Sequence, residues 1–523
     1  MERYGIGLQN FSSIRKGDFI YVDKTSYIPM LIEGSKYYFL ARPRRFGKSL
    51  FLSTLEYFFS GERELFKGLS IDSYNWNWDK YPVIHIDLNG TDYAEADALM
   101  NRLYNNLEAY ENLYGIEVKK DQNPSERFRM LITNLYKKTG KQIVVLVDEY
   151  EKPILDTLDN PELGDRHKNT LRGFYGVLKS MDEYLKFVFL TGVTKFGQMN
   201  VFSGLNNIRD ISLQEEYGAI CGITEVELID NFKEGISRIA QGEETDYEGA
   251  IKLLKDNYDG YHFCRNCPDI YNPYSLINAF ADKGIKPYWS MTGTPTLLVN
   301  CLLRNEYDLE DLDRVEASEE RLMGVNNQFD DPVALFYQTG YLTIKGYDKE
   351  LREYILGYPN VEVQKAFFKF VLPYYYSHKG MAADSLITTL NRCIIRGEAD
   401  KMMECLESFS AGISYDVIRE PEVERHFQSM LYIIVKILAS PTLRVYPEWK
   451  TSEGRIDLLI ETPKFVYVVE IKRDSKAETA LQQIMDRDYA LPFKIDSRKV
   501  FLIGVNFSTE KKRLDGFLIE TIS

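Results

Sequence analysis

The stretch Tyr38 to Phe59, YFLARPRRFGKSLFLSTLEYFF, decides the fold. An apolar run, Tyr38 to Ala41, enters a tight basic loop, Arg42 to Ser49, and an apolar-periodic segment leaves it from Leu50 onward. The order is strand, loop, helix. A phosphate-binding loop needs backbone N–H groups turned inward, a lysine reaching the β- and γ-phosphates, and a hydroxyl on Mg²⁺. The helix start behind the loop adds partial positive charge. Gly47, Lys48 and Ser49 supply the second half of G-x-x-x-x-G-K-[ST], and Arg42 stands where the first glycine belongs. The cations Arg42, Arg44 and Arg45 suit a polyphosphate ligand. A basic surface turn carrying a chance Gly-Lys-Ser is the plain alternative, so the surroundings decide.

Lys36 to Ala41 reads as the strand feeding the loop, with Phe19 to Thr25 as a short strand before it and Ser26 to Glu33 as a helix. Pro82 to Leu88 reads as another strand, followed by helices over residues 92–114 and 125–138. In Ile143-Val144-Val145-Leu146-Val147, five consecutive apolar residues mark a strand buried on both faces, as in a parallel sheet. A helix over 166–183 and a strand from Leu185 to Gly192 follow. Alternating strands and helices predict an α/β fold with a parallel sheet. From about residue 223 the pattern is helical and tyrosine-rich to about 340. Residues 345–362, with Gly346, Gly357 and Pro359, read as a linker. Helices are expected from 362 to 437, and strands after that. The expected domains are 1–222, 223–345, 346–417 and 418–523.

A chain of 523 residues has room for two to four domains. Its 44% hydrophobic and 27% charged content is ordinary for a globular protein. No apolar run of about 18 residues is present, so no membrane span is expected. The start, MERYGIGLQNFSS, has no apolar segment of a secretory leader, and a cytoplasmic location is expected. Six dispersed cysteines fit free thiols in a reducing compartment. The net charge of −14 argues against a chain that coats nucleic acid along its whole surface. Residues 418–523 carry 17 Lys and Arg against 16 Asp and Glu, so a local basic face is still allowed there.

Asp148 and Glu149 end the buried strand, about a hundred residues after the loop. Charged groups directly after an apolar strand belong at its C-terminal edge, where open α/β sheets bind ligands. There Asp148 serves Mg²⁺ through its water shell and Glu149 polarises the attacking water. Thr191, ending the next strand, stands where a residue can sense the γ-phosphate, and Thr194 and Lys195 follow. Asp23 and Lys24 either sit beside the nucleotide base or cap the next helix. Arg209 is the candidate arginine finger.

The segments YVDKTSYIPML, FLARPRRFGKSLFL, VVLVDEYEKPI, FLTGVTKFG, VFSGLNNIRDIS, DGYHF and YNPYSLINAF occur in order over roughly residues 4–290. Together they resemble the AAA-ATPase-like family of P-loop NTPases. In that family Arg-Pro-Arg-Arg-Phe-Gly-Lys is the usual loop. The resemblance implies an ATP cradle of Arg42, Arg44, Arg45, Phe46, Gly47, Lys48, Ser49 and Leu50, with Asp148 and Thr191 beside it. The family is similar to STAND-type switches as much as to motor ATPases, so binding is implied more firmly than turnover.

At the C-terminus, Gly454 to Ile460 and Phe465 to Lys472 read as a hairpin around Thr462-Pro463-Lys464. Asp457 and Glu470 are equidistant from the turn centre and so should face each other on one side. Lys472 shares the face of Glu470. Two converging carboxylates form a hard-oxygen site for Mg²⁺ or Mn²⁺, and a nearby lysine can position water or offset transition-state charge. A surface ladder of opposite charges is the plain alternative. The D-x(12)-E-x-K spacing resembles the PD-(D/E)XK nuclease superfamily. That resemblance implies a third acidic residue, Glu424 in a helix from Glu422 to Leu438, and a glutamine near the metal, Gln483. His262, Cys264 and Cys267 lack a fourth zinc partner, and two free thiols are expected there.

The expected whole is an α/β P-loop ATPase domain, a helical middle region acting as lid or transmitter, and a restriction-endonuclease-like C-terminal domain. The leading expectation is ATP-controlled, Mg²⁺-dependent action on nucleic acid, with DNA as the expected substrate, no membrane partner, and a homo-oligomer left open. The alternative is a nucleotide-dependent STAND-like switch or assembly protein whose nuclease-like domain only binds nucleic acid or a partner.

Overall fold

The structure, a computed structural model, describes residues 2–522 except 118–120, 158–159, 196–200, 202–206, 290–297, 300, 303–306, 308, 325–331, 376–380, 413–431, 441–442, 452–453 and 495. Two compact units form, Met1–Tyr307 with Leu312–Val363, and Asp308–Asp311 with Gln364–Ser523.

The first unit is built on a five-stranded parallel sheet in the order β2-β3-β4-β1-β5. Its strands are β1 (Tyr37–Ala41), β2 (Val83–Asp87), β3 (Ile143–Asp148), β4 (Leu185–Gly192) and the two-residue β5 (Arg209–Asp210). Every residue of β1 and β3 is buried, as strands covered on both faces require. The crossovers are helices, Lys48–Phe59 after β1, Ala98–Tyr114 and Pro124–Thr139 after β2, and Pro161–Ser180 after β3. In the first of these, Phe51, Leu52, Leu55, Phe58 and Phe59 recur at helical spacing and are buried. β4 lies between β1 and β3, so the residues that end all three strands meet at one edge. Phe19 to Thr25, expected as a strand, is irregular chain ahead of the helix Tyr27–Gly34.

A helical region follows, with its own core of Leu228, Phe232, Ile236, Leu254, Tyr258 and Phe280. Thr224 and Glu227 close a capping box at the helix Glu225–Asn231. The expected linker over 345–362 is instead sheet. β6 (Val315–Ala317), β7 (Thr343–Asp348) and β8 (Glu353–Gly357) pair antiparallel in the order β6-β8-β7. Gly346 sits at a register shift between β7 and β8, so this glycine marks a bulge and not a flexible joint. Cys264 and Cys267 form a disulfide, which corrects the expectation of thiols at all six positions. The two-residue spacing brings their Cα atoms to 5.6 Å, within bridging distance. Cys221, Cys301, Cys393 and Cys405 keep their thiols outside any disulfide.

The second unit carries β9 (Arg444–Thr451), β10 (Gly454–Glu461), β11 (Phe465–Arg473), β12 (Lys499–Ser508) and β13 (Arg513–Ile522), in the order β13-β12-β11-β10-β9. Only β11 and β12 pair in parallel, joined through the helix Ala477–Asp486. That helix lies so close to β12 that a Cβ at Gly504 would strike the carbonyl of Ala477 and the amide of Leu481. Among the described residues no helix is long and apolar enough to cross a membrane.

Candidate functional site

The phosphate loop leaves β1 at Arg42, whose N–H donates to Gly192 O at 3.1 Å and extends the β1–β4 ladder by one bond. Gly47 holds φ 92°, a left-handed conformation that favours glycine, and its neighbour Lys48 begins the helix. Lys48 Nζ donates to Arg42 O at 3.0 Å and Pro43 O at 3.2 Å and lies 3.5 Å from Glu149 Oε1. The lysine therefore folds across the loop it follows. Ser49 occupies the next helical position, and Leu50 lines the adjoining pocket.

Arg42, expected among the phosphate-facing cations, is turned inward instead. Its guanidinium donates to Ala41 O at 2.9 Å, Ser212 O at 2.8 Å and Tyr217 O at 3.0 Å, and lies over the Phe263 ring at 4.3 Å. These carbonyls and the ring meet most of its donor capacity, so its charge braces the loop from below. Arg45 is exposed, with its guanidinium 4.6 Å from the Tyr274 ring centre. Arg44 is half-buried. Phe46 packs edge-on against Tyr261 and Phe263, and its carbonyl accepts Gly222 N–H at 3.0 Å.

At the end of β3, Asp148 is 3% exposed and its Oδ1 accepts the Thr191 hydroxyl at 2.7 Å. Glu149 leaves the strand with φ 52°, which swings its carboxylate toward Lys48. Sequence reasoning missed Glu151, which is wholly buried. Its Oε1 accepts Val193 N–H at 2.5 Å and Thr194 N–H at 2.8 Å. Burial first, and then the charge of Glu149, push its carboxyl up to about 8. The only signal for it was a third carboxylate in Asp148-Glu149-Tyr150-Glu151. Lys195 pairs with Asp210 at 2.7 Å. Arg209, on the edge strand β5, is engaged within the chain by Gln214 at 2.8 Å and Glu216 at 3.6 Å.

Beside Gly47 opens a largely apolar pocket of about 670 Å³, its open mouth included. Leu8, Ile20 and Val22 line it from the N-terminal segment, and Ile223, Phe232 and Ile277 from the helical region. Lys24 contributes to the wall while its ammonium pairs with Glu227 at 2.6 Å and Ala219 O at 2.8 Å. Asp23 is spent on local bonds to Thr25 and Ser70.

In the second unit the β10–β11 register, Leu458 opposite Val469, sets Asp457 opposite Glu470. Asp457 Oδ2 accepts Ile471 N–H at 2.7 Å. Glu470 Oε1 accepts Lys472 Nζ at 3.1 Å and the Gln483 amide. Glu470 Oε2 is buried with no hydrogen-bond partner. Burial raises both carboxyls above their usual range, with Asp457 adding to the rise at Glu470. Glu424 lies outside the described residues. Glu448 on β9, which the sequence reading passed over, falls opposite Asp457 by register and pairs with Arg455 at 3.1 Å. Among the described residues no three His, Cys, Asp or Glu side chains form a metal cage. The two facing carboxylates and the orphaned oxygen of Glu470 nonetheless fit a hard divalent ion that keeps water in its other positions.

A P-loop sheet in one unit and a facing carboxylate pair on a mixed sheet in the other define an AAA-ATPase-like protein with a nuclease-superfamily tail. The model of predicted AAA-ATPases matches residues 5–202, and that of the PD-(D/E)XK nuclease superfamily matches residues 422–515. The chain belongs to this family. It is 34% identical over 523 residues, 99% of this chain and 98% of the relative, to the "Uncharacterized protein in vnfD 5'region" of Azotobacter chroococcum mcd 1. Among solved structures, Aeropyrum pernix ORC2 in its ADPNP-ADP complexes is 12% identical, over 64% of this chain and 87% of that one, with a TM-score of 0.24. Aeropyrum pernix ORC1 in complex with DNA is 10% identical, over 66% and 91%, with a TM-score of 0.24.

Proposed function

We propose that the chain binds ATP with Mg²⁺ at residues 42–50 and hydrolyses it, and that this cycle controls a metal-dependent nuclease domain acting on DNA. The observation that carries the nuclease half is the gathering of Lys472 and Gln483 on Glu470 Oε1, opposite Asp457, which leaves Glu470 Oε2 buried and without a partner. Asp457 and Glu470 would hold Mg²⁺ or Mn²⁺, and such an ion supplies a nucleophile and charge stabilisation for phosphodiester cleavage. Gln483 orients the Glu470 carboxylate. The Lys472 ammonium, 3.1 Å from Glu470, is within reach of a developing negative charge.

In the ATP half, Lys48 and the first N–H groups of its helix bind the polyphosphate, with Arg44 and Arg45 as further cations. Ser49 and Asp148 would hold Mg²⁺. Thr191 orients Asp148 through its hydroxyl bond. Glu149 takes the role of water-polarising base. The apolar pocket beside Gly47 is the site for the nucleobase.

A second reading is favoured by one observation. Lys48 and Glu149 already face each other at 3.5 Å, a resting pair that nucleotide would have to break. A switch that binds ATP without turning it over uses the same contact. One experiment tests both readings: labelled DNA and RNA are incubated with the full-length chain, Mg²⁺ or Mn²⁺, and with or without ATP. Metal-dependent cleavage that responds to ATP supports the enzyme. Retention of nucleic acid without cleavage, with ATP bound and intact, supports the switch.

A further inference from the structure

Glu151 has no part in the roles assigned above, yet it is a wholly buried carboxylate at the ATP site with one oxygen engaged twice and the other without a partner. It is wholly buried, and a buried carboxyl is costly unless its oxygens are hydrogen-bonded. One oxygen, Oε1, accepts two consecutive backbone N–H groups, those of Val193 and Thr194. The other, Oε2, lies so close to Gly192 that a Cβ there would overlap it. The bland reading is a helix cap, because Glu151 stands at the N-terminus of the short helix Lys152–Leu155. It makes no side-chain capping bond to that helix.

What Glu151 grips is the turn that leaves β4. Residues 191–194 join two pieces of the site. Thr191 donates its hydroxyl to Asp148 at 2.7 Å, and its carbonyl accepts Tyr150 N–H at 3.1 Å. Gly192 O accepts the N–H of Arg42, the first residue of the phosphate loop, at 3.1 Å. The turn thus fixes the loop entrance relative to the residues that end β3. Resting on the hydrolytic reading above, we propose that Glu151 is a positioning residue: it clamps the turn after β4 so that Asp148, Glu149 and Thr191 keep one geometry opposite Lys48. The clamp touches neither Lys48 nor Ser49 through a hydrogen bond, so its loss reaches turnover before it reaches nucleotide affinity.

The test uses the full-length chain with Mg²⁺ and ATP, and three variants, Glu151→Ala, Glu151→Gln and Gly192→Ala. Displacement of reacting groups by a remote change lowers rate on the order of 10²-fold. That loss is expected in kcat for Glu151→Ala, with KM and the affinity for a fluorescent ATP analogue unchanged. Glu151→Gln keeps the Oε1 acceptor and should recover most of the turnover. Gly192→Ala, which crowds Oε2, should reproduce the loss in kcat. Melting curves establish which variants are folded. Folded Glu151→Ala with full turnover overturns the inference, as does a Glu151→Gln variant no better than the alanine. A loss confined to nucleotide affinity overturns it as well. A wild type that binds ATP but never hydrolyses it, alone or with nucleic acid, sinks the hydrolytic reading and the clamp together. A wild type that hydrolyses while Glu151→Ala is indifferent sinks the clamp alone.

Discussion

Lys48 Nζ stands 3.5 Å from Glu149 Oε1 while it donates to the carbonyls of Arg42 and Pro43. The ammonium that must meet a phosphate is therefore already shared between the loop it closes and the carboxylate expected to polarise water. An arriving γ-phosphate competes with Glu149 for that charge. Lys48→Ala should weaken ATP binding at least tenfold, a loss of about 1.4 kcal/mol or more. Calorimetry finding the wild-type affinity in a folded variant rejects the phosphate-loop assignment.

Glu149→Gln removes the negative charge and keeps the shape. It frees Lys48 from its carboxylate partner, so ATP affinity should hold or rise. Turnover should fall by about 10²–10⁴-fold, the usual share of a general base. Steady-state kinetics beside a binding isotherm separates the two effects, and a variant that still hydrolyses at the wild-type rate removes Glu149 from the base role.

Asp457 and Glu470 face each other with both carboxyls raised above the usual range. A divalent ion between them relieves that repulsion and requires both to be ionised, so metal binding should release protons and tighten as pH rises. Saturating Mn²⁺ at a hundredfold over its dissociation constant would stabilise the fold by about 2.7 kcal/mol. Asp457→Ala should abolish the metal-induced rise in Tm and any cleavage. Lys472→Ala should abolish cleavage and leave the Tm rise, because lysine is not a ligand. Calorimetric scans with and without Mn²⁺ check both, and a Tm rise that survives Asp457→Ala rules out the pair as the metal site.

Stability of the first unit should fall as pH rises from about 4.5 to about 7. Burial pushes the Glu362 carboxyl, which accepts Ser275 Oγ at 2.8 Å and Trp289 N–H at 2.7 Å, up to about 7. Asp259 is likewise pushed by burial to about 7. A folded-state value above the unfolded one means that the native chain holds more protons across that window, so stability there declines with pH. At about 1.4 kcal/mol per unit, Glu362 alone accounts for about 3 kcal/mol. Urea unfolding at pH 5 and pH 8 should show the decline, and Glu362→Gln should flatten it. A slope unchanged in the variant would assign the effect to other groups.

Much of the fold was legible because its signals are local. β3 announces itself by five apolar residues that no half-exposed strand would carry, and the short turn at Thr462 to Lys464 sets the hairpin register that pairs Asp457 with Glu470. What escaped depends on distant partners. The direction of the Arg42 side chain is decided by Ser212, Tyr217 and Phe263, some 170 or more residues away. β5 and β6 span only two and three residues, and β7 carries an internal glycine, so their pairing is a tertiary outcome with little periodicity of its own. Glu151 reads as one more charge at a helix start until the backbone of Val193 and Thr194 is seen against it.

Arg42 occupies the position that the general P-loop pattern gives to glycine. Glycine at a loop entrance works as a loose hinge, since its backbone samples many conformations. Here the entrance is a riveted one, fastened by a single side chain to carbonyls at residues 41, 212 and 217. The two solutions meet the same need, a backbone that curls around a phosphate, by opposite means, one through freedom and one through anchorage. Restoring the general pattern with Arg42→Gly would thus dismantle the loop it was meant to perfect.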